Sequence, residues 1–391
     1  MTPKPLAGIR VLELARILAG PWAGQLLADL GADVVKVERP GEGDDTRTWG
    51  PPFVEAEGGG PLAAGYFHAT NRGKRSVEIG LDTADGQETV RRLARNADVL
   101  IENFKVGGLR KYGLDYESLA AVNPRLVYCS VTGFGQDGPY AHRGGYDFMI
   151  QGMAGIMSLT GEPEGEPLKT AVAYADVFTG LYASNAILAA LQGRTSSGRG
   201  CHIDMALLDT QISVIGNQAM VYLLTGLPPR RTGNAHTSIV PYQVFPASDG
   251  HIIIACGNDG QFRRLCGVLG QPWADDPAYA TNPARVANRE TLVPLITAVT
   301  RTRTKADLLA AFEAATMPAG PINTLDEVFS DPQVLHRRMV SRLPEPEAAG
   351  GSVPTLRGPI VIDGEPQVAP TAPPRLGQHT REVLDDPAWG G

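Results

Sequence analysis

The chain predicts an α/β fold with a parallel-sheet large domain and a smaller α+β domain after it. Three observations carry this reading. Residues 8–132 alternate apolar strands with helices, a pattern that builds a parallel sheet through right-handed crossovers. From Asp176 the pattern turns helical and then breaks at Leu227-Pro228-Pro229-Arg230-Arg231 before a shorter mixed segment. At 391 residues the chain exceeds one ordinary core, so two domains are expected.

The elements follow in order. Gly8 to Leu14 reads as the first strand. Pro21 to Leu30 reads as a helix, with proline in its first turn where a missing N–H is harmless. Val34 to Glu38 is the second strand, ending on Glu38-Arg39-Pro40-Gly41. Ser76 to Leu81 is a strand, and Asp82, Thr83 and Asp85 open a helix to about Asn96. Asp98 to Ile101 and Leu126 to Val131 are further strands, with helices near Gly107–Tyr112 and Tyr116–Val122 between them. Val177 to Gln192 is a long helix of small residues, and Thr195 to Gly200 reads as a turn. Cys201 to Leu224 reads as a strand leading into one long helix. Tyr242–Phe245 and His251–Ala255 flank Ser248-Asp249-Gly250 as a hairpin. Residues 340–380 are proline-rich and suit an extended strap. The large domain is placed at 1–205, a linker helix at 206–230 and the small domain at 231–330.

A net charge of −7 disfavours nucleic acid as the main partner, while leaving room for an anionic ligand at a local basic cluster. Four cysteines (Cys129, Cys201, Cys256, Cys266) lack metal-type spacing and read as thiols in a reducing compartment; no metal site is expected. The stretch MTPKPLAGIRVLEL has no basic region followed by a long apolar run. No apolar stretch reaches about 18 residues, so neither a signal peptide nor a membrane span is expected, and the cytoplasm is the expected compartment.

Polar chemistry gathers at the strand exits: Arg16-Ile17-Leu18, Arg39, Glu102-Asn103-Phe104-Lys105 and Thr132-Gly133-Phe134. In an open parallel sheet these share one edge, where ligands bind. Lys74, Arg75, Lys105, Arg110 and Lys111 add charge suited to a ligand with several phosphates, unless they are merely solvated loop charges. Gly133-Phe134-Gly135-Gln136-Asp137-Gly138 matches GxGxxG, but Pro139 follows and no helix opens, so a glycine turn is the better reading. Asp176 is a lone carboxylate among small apolar residues just before a helix. It reads as an N-cap, or as a nucleophile already ionised at neutral pH and able to attack an activated acyl group without a base. His236, on a polar loop opening the small domain, is either a substrate contact or a solvated histidine.

Ordered through nearly the whole chain, Ala19-Gly20-Pro21, Leu30 to Glu38, Asn71 to Ser76, Glu102-Asn103-Phe104, Gly145-Tyr146-Asp147, Ala175-Asp176, Gly198-Arg199-Gly200 with Ile203-Asp204, and Gly377 to Thr380 resemble the class III CoA-transferases. Gly43 to Phe53, Ile239 to Gln243 and Gln333 to His336 are similar to the succinyl-CoA-using dicarboxylate transferases, such as succinate–hydroxymethylglutarate CoA-transferase. The resemblance implies a Rossmann-like large domain, an interlaced homodimer, and residues 331–391 returning to pack on the large domain. It implies that coenzyme A enters as substrate, with no permanently bound cofactor.

It also implies roles. Asp176 matches the nucleophile. Ile17, Leu18, Arg39, Asn71, Arg72, Gly73, Lys74, Asn103, Phe104, Lys105 and Lys111 match CoA contacts. Tyr146 and Asp147 match positions beside the reacting acyl group, and Arg47, Arg72 and Arg143 are candidates to hold a second carboxylate. The glycine-rich lid of formyl-CoA transferase is missing, which argues against oxalate as acceptor. The related acyl-CoA racemases typically carry histidine where this chain has Tyr146, and epimerisation needs an acid and a base on opposite faces. The alternatives the resemblance leaves are an acyl-CoA racemase of the same superfamily, or a transferase using another donor and acceptor pair such as formyl-CoA and oxalate, or carnitine.

Overall fold

The computed structural model describes residues 4–391, which divide into two compact units. The first comprises residues up to 156 together with 169–227 and 335–391; the second comprises 157–168 and 228–334. Among the described residues no helix is long and apolar enough to cross a membrane.

Six parallel strands organise the first unit: β1 (Arg10–Glu13), β2 (Asp33–Glu38), β3 (Lys74–Glu78), β4 (Val99–Glu102), β5 (Val127–Thr132) and β6 (Cys201–Ala206). Their order is β3-β2-β1-β4-β5-β6. The order reverses between β1 and β4, and it is beside such a switch point that open sheets bind ligands. In register, Val11 faces Val34 and Val99, and Leu12 faces Val35 and Leu100.

The inner strands β1, β2, β4 and β5 are buried on both faces, as a parallel sheet under helices requires, while the edge strand β6 leaves His202 and Asp204 exposed. Val11, Val34, Val99 and Val127 pack beneath α1 (Ala19–Asp29) and α5 (Tyr174–Ser197). Leu12, Val35, Leu100 and Tyr128 pack on the other side with Val90 and Leu93 of α2 (Ala84–Asn96) and Leu119 of α3 (Tyr116–Val122). This alternation is the two-residue period of a strand. Each fully buried Val, Leu or Ile contributes about 1.5–3 kcal/mol. Thr83 caps α2 by accepting the Gly86 N–H at 3.1 Å.

Three local expectations give way. The long helix runs on to Ser197 and stops at Gly198, whose φ of +68° is left-handed, so the predicted turn at Thr195 is its last helical stretch. After β6 the chain forms two helices, α6 (Leu207–Val214) and α7 (Asn217–Thr225), in place of one. Gly216, at φ +47°, breaks them apart. The proline-rich strap contains an antiparallel pair, β10 (Val340–Pro344) with β11 (Ser352–Leu356). Residues beyond it return to the sheet: Gly73 N–H donates to Thr371 O, and the Trp389 indole donates to Asp33.

The second unit is built on a three-stranded antiparallel sheet, β9 (Ala319–Pro321), β8 (Gly250–Ala255) and β7 (Tyr242–Ala247) in that order. The predicted hairpin turns at Ser248-Asp249. Phe245, Ile252, Phe262, Leu292 and Phe312 form its core with α8 (Asp259–Leu269), α9 (Arg289–Thr300) and α10 (Lys305–Ala314).

Candidate active site

The loops after β1 and β4 are stapled together at the switch point. The Asn103 side chain accepts the Arg16 N–H at 2.9 Å and donates to Arg16 O at 2.7 Å. Ile17, next in line, has φ +75°. That conformation is a genuine outlier for a β-branched residue, of a kind that surrounding structure must enforce. The enforcing group is Asp44, whose carboxylate accepts the Ile17 N–H at 3.1–3.2 Å. Asp44 in turn is locked in a fully buried charge cluster: Lys36 pairs with Asp44 at 2.9 Å and Glu13 at 3.1 Å, and Lys74 pairs with Glu13 at 2.8 Å. Burial opposes the Lys36 charge, but Asp44, Glu13 and Glu38 raise its pKa above the ordinary value. Burial pulls Lys74 down to about 8.

Above this staple lies a cavity of about 640 Å³. Ile17, Leu18, Asn103, Phe104, Lys105, Lys111, Arg143, Tyr146 and Asp176 all line it, joining residues from four strand exits and the start of α5. Four cations, Arg16, Lys105, Lys111 and Arg143, stand around it. Arg143 makes no ion pair among the described residues; its guanidinium lies 4.7 Å from the Tyr140 ring centre. A smaller cavity of about 260 Å³ holds Arg39 and shares Arg16, Phe104 and Tyr112 with the first. Arg39 is exposed and paired with Glu42. Glu102, under the Asn103–Lys105 loop, accepts the Phe104 N–H at 2.7 Å, and burial pushes its carboxyl up to about 7. The glycine turn is real: Gly135 and Gly138 have positive φ. Gly133 packs so tightly on Gly145 that an added Cβ would sit 2.6 Å from the Gly145 Cα.

Asp176 is the third residue of α5 and does not cap it. The cap comes from Asp147, at the start of α4 (Asp147–Met153), which accepts the Ala175 N–H at 2.8 Å and the Asp176 N–H at 3.5 Å. The Asp176 carboxylate therefore has no donor among the described residues. Burial, reinforced by the Asp147 charge, pushes it up to about 7. This corrects the expectation of a carboxylate fully ionised at neutral pH: near pH 7 about half is ionised. An unsatisfied, destabilised carboxylate facing a cation-lined cavity is equipped for nucleophilic attack on an acyl group, and structural duty does not occupy it.

The other expected residues lie elsewhere. Asn71, Arg72, Gly73 and Lys74 are held beneath α1 and the returning segment. Arg72 forks onto Asp29 and donates to Leu356 O; the Lys74 ammonium donates to Pro21 O and Asn71 Oδ1. Arg47 forks onto Glu38 at 2.8 and 2.6 Å and lies 3.8 Å over the Phe67 ring. His236 belongs to the second unit, where its Nδ1 accepts the Ser238 N–H and its ring meets Tyr242 edge-on.

Sequence reasoning did not single out Tyr66 and Lys169, which with Asp147 line a neighbouring cavity. Tyr66 follows the short hairpin formed by Phe53–Glu55 and Pro61–Ala64, and nothing in the local sequence sets it apart. Its hydroxyl has no hydrogen-bond partner among the described residues, and burial together with Asp176 and Asp147 raises its pKa, keeping it a donor.

The model of CoA-transferase family III matches residues 6–380. The chain belongs to that family. It is 58% identical to a succinate–glutarate CoA-transferase of Agrobacterium fabrum over 382 residues, covering 97% of this chain and 95% of the relative. It is 44% identical to a mouse succinyl-CoA:glutarate CoA-transferase, covering 98% and 86%. Among solved structures, a CAIB/BAIF family protein from Brucella suis superimposes with a TM-score of 0.87 at 55% identity, covering 98% and 99%. The class III resemblance read from the ordered motifs is thus confirmed, and the chain is a CoA-transferase.

Proposed function

We propose that this enzyme transfers coenzyme A from succinyl-CoA to a free dicarboxylate, glutarate foremost, with Asp176 as the nucleophile. The observation that carries the reading is the Asp176 carboxylate itself, undonated to and raised to about 7, in a cavity with four cations at the sheet's switch point. The succinate and glutarate specificities of the relatives support the substrates.

In this reading the two joined cavities take CoA, with Arg16, Lys105, Lys111 and Arg143 facing its phosphates and Arg39 at the far end. An Asp176 oxygen attacks the thioester carbonyl, the C–S bond breaks and thiolate leaves, forming an aspartyl–succinyl anhydride. Thiolate then attacks the aspartyl carbonyl; the anhydride C–O bond breaks, succinate departs and an Asp176–CoA thioester remains. The acceptor carboxylate attacks that thioester and expels thiolate. Thiolate finally takes the new acyl carbon and returns Asp176 as carboxylate. One thioester replaces another, so neither ATP nor a bound cofactor enters the balance.

The interlaced homodimer belongs to the same reading. Its support is the apolar face left bare on α7 and beyond, where Leu223 and Leu224 are 71% and 79% exposed. Light scattering on the purified chain tests it: a monomer at micromolar concentration refutes it.

The function is tested by incubating the enzyme with succinyl-CoA and a panel of free acids and identifying new acyl-CoA species by mass spectrometry. Glutaryl-CoA is expected, with an Asp176–CoA adduct in quenched samples. Turnover retained by Asp176→Ala refutes the nucleophile.

A further inference from the structure

A third cavity, of about 460 Å³, lies across Leu18 from the one that holds Asp176. Leu18 is a wall of both. The side cavity reaches the start of α5 through Val177, and Asp147 and Tyr66 place it within electrostatic range of the reacting carboxylate. Its other walls are mostly apolar, Trp22, Phe148, Val172 and Ala173 among them.

Among the described residues the side cavity has one cation, Lys169, and Lys169 makes no ion pair with them. Its ammonium has only its neighbour Thr170 O at 3.3 Å and, 5.9 Å away, the Phe148 ring. Asp147, the carboxylate lining the same cavity, makes no ion pair with Lys169 among the described residues; its oxygens accept the Ala175 N–H and the Gln151 amide. The segment bearing Lys169 is anchored: the buried Gln151 amide oxygen accepts both the backbone N–H and the hydroxyl of Thr170 at 2.9 and 3.1 Å.

A thioester delivered to Asp176 from the cation-lined cavity must point its acyl chain away from CoA. An aliphatic chain suits apolar walls, and a carboxylate at its far end needs a cation left without a protein partner. Arg47 and Arg72 are committed to Glu38 and Asp29, and Arg143 stands among the cations of the CoA side.

We propose that the side cavity beyond Leu18 holds the acyl chain of the dicarboxylate and that Lys169 pairs with its distal carboxylate, setting the preference for diacids. The inference rests on the dicarboxylate reading above and deepens it.

The test compares kcat/KM for glutarate with that for pentanoate, which has the same chain length and one carboxylate, using succinyl-CoA as donor. In Lys169→Met the glutarate-to-pentanoate ratio should fall about 10- to 100-fold, the loss of one charge-assisted hydrogen bond. Lys169→Arg should restore most of the ratio, and Arg143→Met should slow both acids alike. A ratio unchanged in Lys169→Met, or one that collapses in Arg143→Met instead, overturns the assignment. Should the wild type itself show no preference for glutarate, the dicarboxylate reading has failed and the inference falls with it. A clear wild-type preference that Lys169→Met leaves intact refutes the inference alone.

Discussion

Asp176→Asn should make the protein more stable as it makes it inactive, and the gain should depend on pH. Burial and Asp147 raise the carboxyl from 3.8 to about 7 in the folded state. In the unfolded chain it ionises near 3.9. Between those values the folded protein binds more protons than the unfolded one, so this group lowers stability steadily as pH rises from about 4 to about 7, with no further change above. Three pH units correspond to about 4 kcal/mol as a ceiling, and contact with cavity water should reduce the gain to about 2 kcal/mol. Asparagine does not titrate. Urea unfolding of wild type and variant at matched salt, from about pH 5 to about pH 8, should therefore show the gap between them widening towards neutral pH and then levelling. Comparing the gap across pH removes any fixed effect of the substitution. A gap independent of pH would mean that Asp176 ionises normally, and the argument that a destabilised carboxylate drives the attack would fall.

Asp147→Asn keeps an acceptor for the α5 N–H groups and deletes the charge that raises Asp176. The acidic limb of the rate of Asp176–CoA thioester formation should move to lower pH, as single-turnover measurements across pH would show. Arg47→Met strands Glu38 in the interior, so denaturation should reveal a loss of about 3–5 kcal/mol. A raised glutarate KM with little loss of stability would instead make Arg47 an acceptor clamp. Gly133→Ala drives a methyl group into the Gly145 backbone at 2.6 Å and displaces the loop leading to Tyr146. kcat/KM for succinyl-CoA should fall about 10- to 100-fold, given how steeply rate depends on ångström-scale placement; an unchanged value would show that the loop does not position the site.

Much of the fold was legible because parallel strands buried on both faces leave continuous apolar runs, and helices between them carry their own caps, as Thr83 does for α2. The switch-point loops at Arg16–Leu18 and Asn103–Lys105 were legible for the same reason, since strand exits can be located from strand ends. The break at Gly216 and the pairing of β10 with β11 were not. A glycine's φ and a strand's partner are decided by what surrounds them.

The charged residues show the division most clearly. Strand exits and residue type named Arg39, Lys74, Lys105 and Lys111 as cations near a site, and the family resemblance added Arg47, Arg72 and Arg143. The sequence also singled out Asp176 as a lone carboxylate at a helix start. The tertiary structure decided which charges are spent. It paired Arg47 with Glu38, Arg72 with Asp29 and Lys74 with Glu13, and left Lys105, Lys111, Arg143 and Lys169 without carboxylate partners among the described residues. It also moved the cap of α5 from Asp176 to Asp147, which frees one carboxylate by using the other. A charge's identity is local, but its desolvation and its partners come from segments far apart in sequence. So the chain by itself determined what chemistry was available, and only the folded arrangement decided where that chemistry remains unspent.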